Sequence, residues 1–410
     1  VNVLILSTFA SGGGAANAAS RQLVALQRMG VSARMLVASP EVPVENGQVR
    51  SVGGVKWQLL RYVEKLGTFI RVRDRSLLFR FSDATTGLGI AHHPWVQWAD
   101  VIHIHWVQQS FLSFSGLHDL LQLRDKQFFW SLHDLWPLTG GCHSPYVIRG
   151  SETELCDRFL HGCGCCPLLG SHRSDDHAAR HFARKSGLPL ERVHFLGVSH
   201  SLVGQAQASP LVSQVSYLPN FYDPELFYPG EEVAEKSVRL LFVAARLDDP
   251  VKGLDLLRQV LEECCHLSEA FRHRAKLTCI GTLKDPDSLR HWPVDVEHHD
   301  SIGQESLIDY YRSADLTLST SRHETFGLTL LESLACGTPV CAFAVGGIPD
   351  IVRDGQNGSL VKPYDTSEMA RRLVEFFDQR RTYTTAELVQ SVAPFAEPTV
   401  LRRLVELYGL

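Results

Sequence analysis

The segment Ser319–Gly347, S-T-S-R-H-E-T-F-G-L-T-L-L-E-S-L-A-C-G-T-P-V-C-A-F-A-V-G-G, decides how the rest of the chain is read. Asp315 to Ser319 (D-L-T-L-S) is a short apolar run of the kind buried in a parallel sheet. A polar loop ending in Glu324 follows, Gly327 opens an apolar helix that stops at Gly337, and Pro339 to Val345 is the next strand. The first N–H groups of a helix have no partner within it, so the amides near Phe326, Gly327 and Leu328 make a site for an anion. Glu324 lies on the loop before the helix and Glu332 on the helix itself. One carboxylate can then face the middle of a ligand while the other reaches its far end. A phosphate flanked by two hydroxyl-bearing groups fits such a site, which is the chemistry of a nucleotide sugar.

Outward from this segment the chain alternates strand and helix. At 410 residues it exceeds the size at which one core keeps growing, so two domains are expected. The net charge of -5 gives no whole-chain case for nucleic acid. No apolar run reaches the length of a transmembrane helix. The N-terminus, V-N-V-L-I-L-S then S-G-G-G-A-A-N, reads as strand, glycine loop and helix without the basic flank of a signal peptide, which places the protein in the cytoplasm. V-S-A-R-M-L-V-A completes a βαβ opening, and its glycines bring backbone close to a ligand. It lacks G-x-G-x-x-G, so no nicotinamide fingerprint is read.

The frame of strand, S-x-x-E-T-F-G-L, helix, A-C-G-T-P-V, strand and G-G-I-P-D-I-V resembles the donor-site signature of retaining glycosyltransferases of family 4. That resemblance covers nearly the whole chain and is most specific from 240 to 360. It implies an α/β protein of GT-B fold, two doubly wound Rossmann-like domains facing a central cleft. An acceptor-side domain over 1–222 would carry a cysteine-rich insert at about 137–170. A linker at 223–236 would lead to a nucleotide-sugar-binding domain at 237–394, and a helix at 395–410 would cross back to the first domain.

By the same resemblance Glu324 orients the donor sugar and Glu332 receives the ribose hydroxyls. Arg246 and Lys252 stabilise the leaving diphosphate without a divalent metal. The family spaces this Arg and Lys five apart, and here they are six apart. Gly13 and Gly14 match the loop beside the donor diphosphate. His133, in L-H-D at a strand end, matches the family's active-site histidine, whereas His103 and His105 have less support. The implied reaction moves a sugar from a nucleotide diphosphate sugar to a hydroxyl of a lipid-linked glycan in cell-surface polysaccharide synthesis. Retention follows from the family, with the departing phosphate taking the acceptor's proton. Another GT-B enzyme, an epimerase or a phosphorylase, and a non-catalytic scaffold are the rival readings.

Cys142, Cys156, Cys163 and Cys166 form C-x13-C-x6-C-x2-C, with Cys165 as an extra thiol. This reads as a structural zinc pattern, against reduced thiols in a packed loop or disulfides as alternatives. Its lead-in H-D-x-W-x-x-T-G-G-C-H resembles exopolysaccharide enzymes related to colanic acid synthesis. From Arg50 to Phe81, eight basic residues (Arg50, Lys56, Arg61, Lys65, Arg71, Arg73, Arg75, Arg80) face only Glu64 and Asp74, with large apolar side chains between them. Such a stretch suits contact with the inner face of a membrane, or a solvated helix whose apolar side packs inward.

Overall fold

V-N-V-L-I-L-S forms strand β1 (Asn2–Ser7), and Val3 to Leu6 are wholly buried. A strand covered on both faces must be apolar throughout, which is why the run shows no alternation. The computed structural model describes residues 1–40, 47–72, 80–150, 152–230, 238–379 and 383–410. The chain divides into two units, Val1–Val147 with Glu154–Pro219 and Leu401–Leu410, and Ile148–Thr153 with Asn220–Val400. Of the expected linker, residues 231–236 lie outside the described residues.

In the first unit β1 is joined by β2 (Ser32–Val37), β3 (Val49–Ser51), β4 (Val101–Ile104) and β5 (Gln127–Leu132). A hairpin, β6 (Tyr146–Arg149) and β7 (Glu152–Leu155), precedes β8 (Val193–Gly197) and β9 (Val215–Tyr217). The seven-stranded sheet has the order β3-β2-β1-β4-β5-β8-β9 and is parallel throughout. Its order reverses at β1 and β4. The loops leaving these two strands diverge there and open a crevice, the usual ligand site of a doubly wound sheet.

The second unit repeats the plan with β10 (Val238–Arg246), β11 (Ala275–Thr282), β12 (Asp295–His299), β13 (Leu316–Ser319), β14 (Val340–Phe343) and β15 (Gly358–Val361). Their order is β12-β11-β10-β13-β14-β15, again all parallel, so the reversal falls between β10 and β13. Two doubly wound Rossmann-like units result. The edge strands β3, β9, β12 and β15 are short and only partly buried.

The basic stretch behaves differently from a helix packed by its apolar side. The helix Gly54–Arg71 buries Trp57, Glu64 and Thr68. Val55, Leu59, Tyr62, Leu66 and Ile70 are exposed, at spacings of three and four that place them along one stripe. Glu64 faces inward because its carboxylate accepts from the Asp83 and Ala84 amides at 2.9 and 3.1 Å and from the Ser110 hydroxyl. The cations are less available than their number suggests. Arg80 is buried and donates to the Tyr146 carbonyl at 2.8 Å, and Arg71 pairs with Asp83. Arg50 lies over the Trp95 ring and Arg61 over Phe9 and Trp57. Lys56 and Lys65 remain exposed, while Arg73 and Arg75 lie outside the described residues.

The C-terminal helix Glu397–Tyr408 brings the chain back to the first unit, where Tyr408 is buried under β4 and β5. Its hydroxyl lies 2.5 Å from His103 Nδ1 and accepts from Gln22 Nε2 at 3.0 Å. Tyr408→Phe removes one oxygen from a dry site and leaves both partners short of a bond. It is expected to lower stability by about 1–3 kcal/mol, seen as a lower urea midpoint with an unchanged slope.

Candidate functional site

The loops after β10 and β13 meet at the order reversal of the second unit. After Arg246 the chain closes a 3-10 turn, Pro250–Lys252, capped by Asp249 on the Val251 amide at 3.0 Å. This turn takes up the six-residue spacing and sets Lys252 Nζ 2.7 Å from Glu324 Oε2. Gly253 follows at φ 68, and a Cβ there would stand 2.1 Å from the Thr320 carbonyl oxygen, so only glycine lets the two loops approach. The Thr320 hydroxyl donates to the Gly253 carbonyl at 2.8 Å and the Arg322 amide to the Val251 carbonyl at 2.7 Å. The buried Arg322 guanidinium grips Asp255 with two bonds of 2.7 and 2.6 Å. On the other side, the Gly347 amide donates to the Glu324 carbonyl at 2.9 Å, and a Cβ on Gly346 would stand 1.8 Å from the same oxygen.

The helix itself runs Leu328–Ala335, one residue later than expected, because Gly327 is its left-handed N-cap at φ 105. The first intrahelical donors reach the Gly327 carbonyl from Leu330 and Leu331, so the amides of Phe326 to Leu328 lie ahead of the ladder. Phe326 is buried edge-on against Phe395. Glu332 is 5% exposed and accepts from the Tyr311 hydroxyl at 3.0 Å. Arg246 keeps to Asp248 at 3.2 Å. Lys252, Glu324 and the helix start are thus brought together, while Glu332 is held on the buried face of its helix.

Burial works against the charge of Glu324, but the Lys252 ammonium outweighs it and holds the carboxyl below its usual range. Burial likewise opposes the charge of Lys252, and Glu324 raises it. The lowered carboxyl stabilises the fold above the ordinary Glu range, and this is lost as pH falls through its folded value. The raised ammonium stabilises below the ordinary Lys range and loses this on the alkaline side. At neutral pH both are charged.

In the first unit, Gly13 caps the helix Gly14–Arg28 at the β1 side of the crevice. His133 is half-buried after β5, with Nε2 2.8 Å from His105 Nδ1 and the two rings stacked. Burial pushes His133 down to about 4 and His105 well below its usual range, so both imidazoles are neutral at physiological pH. His103 is a core residue, bonded to Ser131 at 2.8 Å besides Gln22 and Tyr408. Asp134 accepts from Trp106 Nε1 at 2.8 Å, from His143 Nδ1 at 2.7 Å and from the Trp136 amide at 2.9 Å. His143 Nε2 shares a 2.9 Å bond with the Ser82 hydroxyl. Asp134 and His143 thus fix the loop that presents His133.

Residues 237–379 match the family of glycosyl transferases group 1. The match covers the second unit from β10 through the helix that ends at Gln379. The D-inositol 3-phosphate glycosyltransferase of Thermobispora bispora is 33% identical over 203 residues, 45% of this chain and 47% of that protein. Its namesake in Thermomonospora curvata is 40% identical over 186 residues, 42% and 43% of the two chains. The matched stretch therefore spans about half the length of these curated relatives. Among solved structures, sucrose-phosphate synthase of Thermosynechococcus elongatus superposes with TM-score 0.67 at 17% identity, covering 100% of this chain and 98% of that one. WaaG, a glycosyltransferase involved in lipopolysaccharide biosynthesis, gives 0.64 at 15%, covering 99% of both chains. These likenesses show the GT-B fold. These two curated relatives carry the inositol 3-phosphate name, and the likeness to colanic acid enzymes stays an expectation from the sequence.

Cys142, Cys156, Cys163 and Cys166 line one small cavity as free thiols. The Gly140 amide points at Cys163 sulfur from 3.2 Å, and Lys185 is buried beside the cluster. Cys165 donates to the His172 carbonyl instead. Among the described residues, the metal-ligand group whose atoms come within 4.8 Å of one another is a different one: Asp83, His177 and His181.

Sequence reading missed Arg322 and Asp255, although an arginine two residues before Glu324 was a signal. Arg322→Lys keeps the charge but not the two-pronged fork. It is expected to destabilise the second unit by about 1–2 kcal/mol, measured as a lowered urea midpoint. Unchanged stability would mean that the loop is held without this pair.

Proposed function

We propose that the chain transfers a sugar from a nucleotide diphosphate sugar to a hydroxyl acceptor, with retention at the anomeric carbon. The observation that carries this reading is the Lys252–Glu324 pair, set 2.7 Å apart beside a helix N-terminus at the β10/β13 reversal. The Phe326–Leu328 amides and the cations of Arg246 and Lys252 meet the diphosphate as its charge grows on departure. Glu324, kept ionised by Lys252, accepts from the sugar hydroxyls. Glu332 serves the ribose, and Tyr311 fixes its carboxylate. His133 contributes a neutral imidazole. No divalent metal is assigned to the reaction.

Two structures of Anabaena HepE, in complex with UDP and with UDP-glucose, share the fold with TM-scores of 0.61 and 0.58 at 16% identity. They make a uridine diphosphate sugar the first donor to test. For the acceptor, a lipid-linked glycan of a cell-surface polysaccharide suits the exposed stripe Val55–Ile70. An inositol phosphate is the second reading, favoured by the names of the curated relatives. Among the described residues no helix is long and apolar enough to cross a membrane. The stripe and its flanking Lys56 and Lys65 suit peripheral docking on an anionic leaflet. A structural zinc on Cys142, Cys156, Cys163 and Cys166 completes the reading.

Glu324→Gln should reduce transfer at saturating donor by at least about a hundredfold while nucleotide affinity stays within a few-fold. Glu332→Gln, which can still accept from Tyr311, should weaken nucleotide binding by about 1.5 kcal/mol, near tenfold. Calorimetric titration with UDP, GDP and ADP, beside product analysis with each acceptor class, reads both. Product without any acceptor would turn the assignment to an epimerase. Demand for free phosphate would indicate a phosphorylase, and no turnover of any donor a scaffold.

The docking surface has its own test. Leu59, Leu66 and Ile70 are 64%, 50% and 75% exposed. Replacing all three by serine should move the protein from the pellet to the supernatant with anionic vesicles, while nucleotide binding persists. Wild-type protein that stays in the supernatant at low salt would end the docking idea.

A further inference from the structure

Asp83, His177 and His181 lie apart from every group used above for donor chemistry. His177 and His181 stand one turn apart on the helix His177–Ser186, so both imidazoles project from one face, with ring centroids 4.0 Å apart. Asp83, 1% exposed, reaches that face from the turn after Phe81, with Oδ1 2.8 Å from His177 Nε2. Its other oxygen is held by Arg71. The ligand atoms of all three residues lie within 4.8 Å of one another.

The decisive residue is His181. It is 1% exposed, and neither ring nitrogen has a hydrogen-bond partner among the described residues. A neutral imidazole carries one N–H donor and one lone pair. Burying both unpaired is destabilising, a penalty few native sites carry without cause. The Phe81 ring lies 6.1 Å from the His177 ring and 6.3 Å from the His181 ring, centroid to centroid. Burial pushes His181 down to about 3, so its lone pair is free at physiological pH.

We propose that Asp83, His177 and His181 bind a divalent cation of the zinc class. Two imidazoles and one carboxylate are a donor set that such ions accept, with a further position left for water. His181 gains the partner it lacks. His177 turns its Nε2 lone pair to the metal and carries its proton on Nδ1. Asp83 offers Oδ1, while Arg71 on the opposite oxygen orients the carboxylate, as outer partners of metal ligands do. The ion ties the turn at Asp83, which Glu64 anchors through its backbone amides, to the helix that carries His177 and His181.

Zinc bound per chain, measured by elemental analysis after equilibrium dialysis against free zinc, tests this on the whole protein. His181→Phe, which keeps a ring in the packed site, should bind one equivalent fewer than wild type. The Cys163→Ser/Cys166→Ser double variant should keep that equivalent, which separates this site from the thiols. Asp83→Asn, the smaller change should His181→Phe fail to fold, should weaken the same equivalent at least tenfold. Cobalt loaded into the double variant should give the weak visible bands of nitrogen and oxygen ligands, not the intense near-ultraviolet band of thiolate. Equal zinc in wild type, His181→Phe and Asp83→Asn would overturn the site.

Discussion

The second unit depends on one constraint: the loop carrying Glu324 must stand against the turn carrying Lys252 although burial opposes the charge of both side chains. Neither loop could hold that position alone. Arg322 spans the gap to Asp255 with two charge-assisted bonds, and Thr320 and the Arg322 amide add bonds to residues 251–253. Glycines at 253 and 346 permit the close approach, since a side chain at either would collide with a carbonyl oxygen. Glu324 and Lys252 therefore meet in a fixed geometry, and each keeps the other charged despite burial. A preorganised pair of this kind needs little rearrangement when charge develops beside it.

The first unit solves the opposite problem. Three histidines near the ends of β4 and β5 are kept neutral by burial, and their identities diverge through their partners. His103 is closed in by Gln22, Ser131 and Tyr408 and belongs to the core. His133 stays half-buried because Asp134, His143 and Trp106 brace its loop. In the sequence, His133 is set apart from His103 and His105 by its match to the family's L-H-D. The side chains around them place His103 in the core and leave His133 half-buried.

The helix Gly54–Arg71 shows how composition can mislead in both directions. Of the basic residues in and around it, Arg50, Arg61, Arg71 and Arg80 are engaged by aromatic rings, by Asp83 and by a backbone carbonyl, and Lys56 and Lys65 are left exposed. Its apolar residues are more exposed than an amphipathic pattern suggests, because the inward positions belong to Trp57, Glu64 and Thr68. A buried glutamate with three donors takes the place a leucine would fill in an ordinary helix.

By itself the sequence determined the two doubly wound units, since long apolar runs alternating with helical periods leave few other packings. It also determined the loop–helix frame around Glu324, because glycine spacing and the carboxylate pair are local in the chain. The tertiary structure decided everything that joins distant segments. The Arg322–Asp255 pair spans 67 residues and the Asp83–His177 bond spans 94. The partners of Tyr408 lie more than 300 residues away. No periodicity or spacing encodes such pairs. They arise when parallel strands order their loops in space, and burial then fixes which polar groups must find one another.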